Sequence, residues 1–141
     1  MKTTETAVAA IRRFNRFHTC WVGALGGSLH GSGLALAEAR VLYELAQRDD
    51  WQAAEIARAL DLDPAYLSRI LQRFARQGWL DRSRSAVDGR AWRLRLTAQG
   101  RAAFQPLEEA SSAQAAAILQ RLAPFEQARL VDALADTERL L

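Results

Sequence analysis

The chain has 141 residues, half of them hydrophobic and a quarter charged, which suits one globular domain with room for an apolar core. No apolar run approaches bilayer-spanning length, and the opening MKTTETAVAAIRRFNRFH lacks the apolar centre of a secretory signal, so no membrane partner is expected. The net charge is +3, but between Asp61 and Arg101 nine arginines meet four aspartates, a local balance of +5 that leaves −2 for the rest of the chain.

In chain order, residues 7–29 read as a long helix with Val8, Ile11, Phe14, His18, Val22 and Leu25 tracing one mostly apolar stripe and Phe17 and Trp21 beside it. The single cysteine, Cys20, falls on this helix; it excludes an internal disulfide and fits a reducing cytoplasm. Gly26 and Gly27 weaken the last turn, and the HGSG at 30–33 breaks it. A second amphipathic helix runs from Leu36 to Arg48, with Ala39, Leu42, Tyr43 and Leu45 expected inward and Asp49-Asp50 closing it.

Trp51 to Gly78 reads as two short helices joined by a tight polar turn. In the first, Ala53, Ile56, Ala57 and Leu60 share a face. The second opens on Asp63, a natural N-cap, and on Pro64, whose missing donor costs nothing at the first helical position. Leu67, Ile70, Leu71 and Phe74 then form its buried stripe. Ala65, Ser68, Arg69, Gln72, Arg73 and Arg76 face outward, a mixture of small, hydroxyl, amide and guanidinium groups that suits a DNA major groove.

After Gly78, an expected C-cap, the period changes. WLDRSRS (79–85) and AWRLRLT (91–97) alternate apolar with polar around a turn at Asp88-Gly89, the pattern of a two-stranded hairpin. Trp79, Leu80, Trp92, Leu94 and Leu96 are assigned the apolar positions, and Arg82, Arg84, Arg93 and Arg95 the other face. A hairpin alone is marginal, so it must pack on the helices before it. Thr97 then caps a long helix that Pro106 should bend by removing one backbone bond, and Pro124 starts a last helix with Phe125, Leu130, Val131, Leu134 and Leu141 as candidates for burial. Both ends of the chain lack intrachain partners, so they are expected to pack together and against a second copy.

Three pieces in register, ALAEARVLYELA, AAEIARALDLDPAYLSRILQRFARQGWLDRSRS and DGRAWRLRLTAQGRAAF, resemble the MarR family of bacterial transcriptional regulators. The resemblance rests on the helix-turn-helix, on Asp88-Gly89-Arg90 in the wing, and on Leu96-Thr97-Ala98-Gln99-Gly100 opening the long helix. DPAYLSRIL and DGR are similar to the subgroup often fused to an acetyltransferase, but no residues of such a domain are present and that activity is not carried over. The fold class implied is mainly α with a small β-hairpin wing, a single domain over 1–141 in which 36–97 form the winged helix-turn-helix and 7–29 and 98–141 the dimerisation helices.

The resemblance implies a cytoplasmic homodimer on a pseudo-palindromic operator in double-stranded DNA, with half-sites about one helical turn, ~34 Å, apart. Arg69 and Arg73 are the first candidates for DNA contact: at Arg69 a guanidinium can donate twice to guanine, with phosphate contact or solvation the alternative, whereas Arg73 and Arg76 lie further along, where phosphate positioning is favoured. Pro64, Tyr66, Ser68 and Gln72 complete the helix's share of the interface, with packing beneath the hairpin the alternative for Tyr66. Arg84 is assigned to a phosphate contact or a solvated face, Arg90 at the wing tip to a narrow minor groove, and Asp88 to steering Arg90. A repressor relieved by a small aromatic or phenolic effector is expected, with Phe14, Phe17, His18, Trp21, Tyr43 and Trp51 as candidate lining; by spacing alone these aromatics read as core. Two alternatives stand beside it: a thiol sensor working through Cys20, and a winged module that contacts protein rather than DNA. No cofactor is expected. His18 and His30 lack ligand-spaced companions for a metal, and no nucleophile elbow, phosphate loop or metalloprotease motif suggests an enzyme.

Overall fold

The computed structural model describes residues 2–23, 33–84 and 89–141, with the side chains of the first helix described from residue 4 to 18. Its elements are α1 (Lys2–Gly23), α2 (Leu36–Gln47), α3 (Ala53–Leu60), α4 (Pro64–Arg76), β1 (Leu80–Arg84), β2 (Trp92–Leu96), α5 (Ala98–Gln120) and α6 (Pro124–Leu140). The chain divides into two compact units, 1–107 and 108–141, with α5 beginning in the first and ending in the second.

The core of the first unit is built where the helical periodicities coincide. Val41, Leu42 and Leu45 of α2, Ile56 of α3, Leu67, Ile70, Leu71 and Phe74 of α4, and Leu80, Leu94 and Leu96 of the hairpin are all buried, joined by Phe104 and Leu107 of α5. Burying each such side chain contributes roughly 1.5–3 kcal/mol relative to exposure. The four-residue stripe expected on α4 is therefore the one observed. On α2 the stripe is rotated slightly: Val41 and Glu38 are inside, while Tyr43 is half exposed and rests edge-on against Phe104. Ala53 is likewise exposed, leaving Ile56 and Ala57 as the buried positions of α3.

Local chemistry sets the helix ends. The Asp63 carboxylate accepts from the Tyr66 N–H at 3.0 Å, with Pro64 at the first position, as the sequence suggests. At the other end of α4, Gly78 adopts φ +77°, its N–H donates to the Ala75 carbonyl and the Trp79 N–H to that of Phe74. The rings of Phe74 and Trp79 meet at 5.4 Å across this closure, which is the Schellman arrangement with its hydrophobic contact. At the start of α3, Glu55 accepts from the Gln52 N–H at 2.8 Å and from Arg48 at 2.6 Å.

These partners, the Gln52 N–H first and Arg48 second, hold the Glu55 carboxyl below its ordinary value of 4.5. A folded-state value below the unfolded one stabilises the fold above the carboxylate's ordinary range, and that contribution is lost as pH falls through it. Urea midpoints of the native protein and Glu55→Gln are thus expected to differ at pH 7 and to converge as the pH drops below about 4.5. A gap that stayed constant with pH would show that the carboxylate's charge plays no part.

The hairpin pairs Leu80 with Leu96, Arg82 with Leu94 and Arg84 with Trp92. Directly opposed residues project to one face, so Arg82 and Arg84 share the face of Leu94 and Trp92 rather than opposing it, which corrects the face assignment drawn from the sequence. Only the end of that face near the helices is covered; Trp92, assigned an apolar position, is 48% exposed. The hairpin is anchored by Trp51, whose carbonyl accepts from the Leu94 N–H at 2.7 Å as an isolated antiparallel bridge.

Helix α1 starts earlier than expected, at Lys2, and its described side chains are exposed apart from a half-buried Ala10. In the second unit α6 begins at Pro124 as expected, and Glu126 accepts from the Ala123 N–H at 2.8 Å. None of its residues is buried within the chain: Phe125, Val131, Leu134 and Leu141 are exposed and Leu130 half-buried. Pro106 lies within the continuous α5.

Candidate nucleic-acid interface

Because Leu67, Ile70, Leu71 and Phe74 pin one side of α4 into the core, its opposite side is presented as a rigid surface. Pro64, Tyr66, Ser68, Arg69, Gln72, Arg73 and Arg76 are all exposed there. The Arg69 guanidinium lies 5.8 Å from the centre of the Tyr66 ring, one turn earlier, at the outer limit of a cation–π contact. Tyr66 is 36% exposed. Among the described residues Arg69 and Arg76 form no ion pair, whereas Arg73 donates to Glu38 at 2.8 Å.

On the wing, Arg84 donates to the Gly89 carbonyl at 2.7 Å and its guanidinium lies 4.8 Å from the centre of Trp92. It therefore ties the strand end to the tip. Arg90 is exposed in the turn beyond Gly89. Asp88, expected to steer Arg90, lies outside the described residues. Arg95 faces Asp81 across the strands at 3.8 Å.

The junction between α4 and α5 gives the Leu-Thr-x-x-Gly motif its physical meaning. The Thr97 hydroxyl donates to the Gly78 carbonyl at 2.6 Å and accepts from the Gly100 N–H at 3.0 Å, capping α5 while holding the end of α4. The Thr97 N–H donates to the Trp79 carbonyl at 2.9 Å. Gly100 sits against that same carbonyl, where a Cβ would overlap the oxygen.

The candidate effector residues lie on several elements. Phe14 and His18 stack on the exposed surface of α1 with ring centres 5.8 Å apart, and Phe17 is exposed beside them. Tyr43 lies on α2 against Phe104. Trp51 is core: its ring is buried, its Nε1 donates to the Glu44 carbonyl at 2.6 Å, and Arg48 covers it at 3.9 Å. The side chains of Trp21 and Cys20, and all of His30, lie outside the described residues. A shallow cavity of about 160 Å³ is lined by Leu36, Ala37, Arg40, Leu60 and Leu62, none of them an expected ligand residue. No helix is long and apolar enough to cross a membrane, and no cluster of metal-binding side chains occurs among the described residues.

Sequence reasoning missed Glu38. Its place in the first turn of α2 marks it only as a helix-start carboxylate; the Arg73 contact spans 35 positions and has no local signature.

A helix-turn-helix whose second helix is clamped below and bare above, followed by an arginine-bearing hairpin, defines a winged helix-turn-helix. Residues 32–91 match the model of the MarR family. The fold is similar to that of a MarR family transcription regulator, at 24% identity over 99% of this chain and 90% of that one, with TM-score 0.75. It is also similar to FabT of Streptococcus pneumoniae, solved in complex with DNA, at 19% identity, 97% and 95% coverage and TM-score 0.72. PcaV of Streptomyces coelicolor, solved with its natural ligand, aligns at 23% identity, 92% and 89% coverage and TM-score 0.63. No curated protein matches the sequence. The match to the MarR family covers residues 32–91, the helix-turn-helix region and the wing, and the similar solved structures share the fold of the whole chain.

Proposed function

We propose that the protein is a homodimeric DNA-binding repressor whose hold on a pseudo-palindromic operator is weakened by a small aromatic or phenolic ligand. The observation that carries this reading is the surface of α4, where Arg69 and Arg76 are exposed without an ion pair among the described residues on a helix fixed from below. Arg69 reads bases with Ser68 and Gln72 beside it, Arg76 engages phosphate, and the wing carries Arg90 toward the adjacent minor groove. FabT in complex with DNA and PcaV in complex with its natural ligand, both of this fold, support the reading.

Residues 1–141 act as one functional domain, with 36–97 reading DNA and 7–29 and 98–141 supplying the dimer contact. In its favour, Val8, Ile11 and Phe17 on α1 and Phe125, Val131 and Leu134 on α6 are each 50% exposed or more. Apolar surface on this scale is the mark of an interface. The ligand acts by favouring one separation of the two recognition helices over the other, since only a difference in affinity between states can shift them. Phe14, Phe17, His18, Trp21 and Tyr43 remain the residues proposed to meet it, while Trp51 is core.

Fluorescence anisotropy against a duplex selected from genomic fragments tests the reading. Arg69→Ala is expected to cost about 1–3 kcal/mol in binding, and the added Arg90→Ala to weaken it further. Binding that is absent, insensitive to salt, or unchanged in the double variant would overturn it.

A further inference from the structure

Among the described residues Glu38 is the buried charged side chain, 8% exposed. A buried carboxylate is costly unless its oxygens are occupied, and both are. Oε1 accepts from the Ala35 N–H at 3.4 Å at the start of α2, and Oε2 accepts from Arg73 Nη1 at 2.8 Å. Glu38 is therefore fixed by its own helix and cannot follow a guanidinium outward. Arg73, by contrast, remains 49% exposed on the surface of α4, one turn beyond Arg69.

We propose that Glu38 is a specificity-determining residue of the DNA-reading surface: by neutralising Arg73 it withdraws that arginine from indiscriminate phosphate attraction. The inference rests on the proposed DNA binding. Non-specific affinity comes from protein cations that displace condensed counterions, and each phosphate neutralised steepens the salt dependence. An arginine already paired at 2.8 Å with a carboxylate that cannot leave supplies no such charge. The ion pair also holds the guanidinium in one direction, so α4 presents Arg69 and Arg76 as its phosphate-seeking charges and Arg73 as a fixed donor.

The test is the salt dependence of binding by the full chain to a random-sequence duplex. Glu38→Gln keeps an acceptor for the Ala35 N–H and releases Arg73. It is expected to steepen the slope of log K against log salt by about 0.9 and to bind random duplex several-fold more tightly at low salt. Glu38→Gln combined with Arg73→Gln should return to the native slope, whereas Arg76→Gln should flatten it by about 0.9. Asp136→Asn makes the same charge change on α6 and should leave the slope unaltered.

An unchanged slope in Glu38→Gln, an equal steepening in Asp136→Asn, or a flattened slope in the double variant would overturn the inference. The double variant decides the matter even if Glu38→Gln fails to fold, because it leaves no unpaired charge. Native protein that binds no duplex overturns the functional reading itself; altered slopes with binding intact bear on Glu38 alone.

Discussion

Gly100→Ala is expected to cost about 3 kcal/mol of folding stability, a large part of the roughly 5–15 kcal/mol that holds a domain of this size. A Cβ at this position overlaps the Trp79 carbonyl oxygen and reaches the Leu96 side chain at 3.0 Å. Neither neighbour can yield cheaply. The Trp79 oxygen is bound by the Thr97 N–H, Leu96 is core, and the Gly100 N–H is held by the Thr97 hydroxyl. Relief would pull α5 away from the start of the wing. Gly78→Ala is the comparison: its Cβ meets only the Gln99 side-chain end, so the cost is that of a left-handed residue, roughly 1–2 kcal/mol. Urea unfolding followed by tryptophan fluorescence should rank the two in that order. Equal midpoints for Gly100→Ala and the native protein would refute the close approach.

Leu134→Asp should convert the proposed dimer to a monomer and cost operator binding two to four orders of magnitude. Leu134 is 53% exposed in a helix none of whose residues is buried, so the change removes no core contact within the chain. In a dimer it would place a carboxylate in an apolar interface without a partner, which is strongly unfavourable. Loss of the second subunit ends the simultaneous engagement of two half-sites, and avidity of about 10²–10⁴ goes with it. Sedimentation equilibrium and anisotropy, run together, check both halves. A variant that stays dimeric moves the interface elsewhere, and a monomer that keeps full operator affinity refutes the two-fold mode of binding.

The legible parts of the molecule were those governed by contacts within a few residues. The Asp63-Pro64 start of α4, its four buried residues, the closure at Gly78 and the cap at Thr97 follow from helical spacing and from orphan backbone groups near the chain's own side chains. The hairpin's existence was equally plain from its period of two, but its facing was not. Alternation assigns two faces without saying which end of a face is covered, and Trp92 turned out to stand beside Arg84 in solvent. Tyr43 and Trp51 show the same limit: equally aromatic, one lies on the surface and the other closes the core.

For the proposed interface, composition and periodicity were enough to assemble its arginines, because a helix with one apolar stripe must present the remainder outward. They could not divide those arginines by role. Arg69, Arg73 and Arg76 look alike in sequence, and only the tertiary fold, which brings a buried carboxylate of α2, 35 positions away, to Arg73, separates a paired guanidinium from two without an ion pair among the described residues. Local bonding is written in neighbouring residues; the partner of a charge is decided by which helices pack together, and that is a property of the tertiary structure.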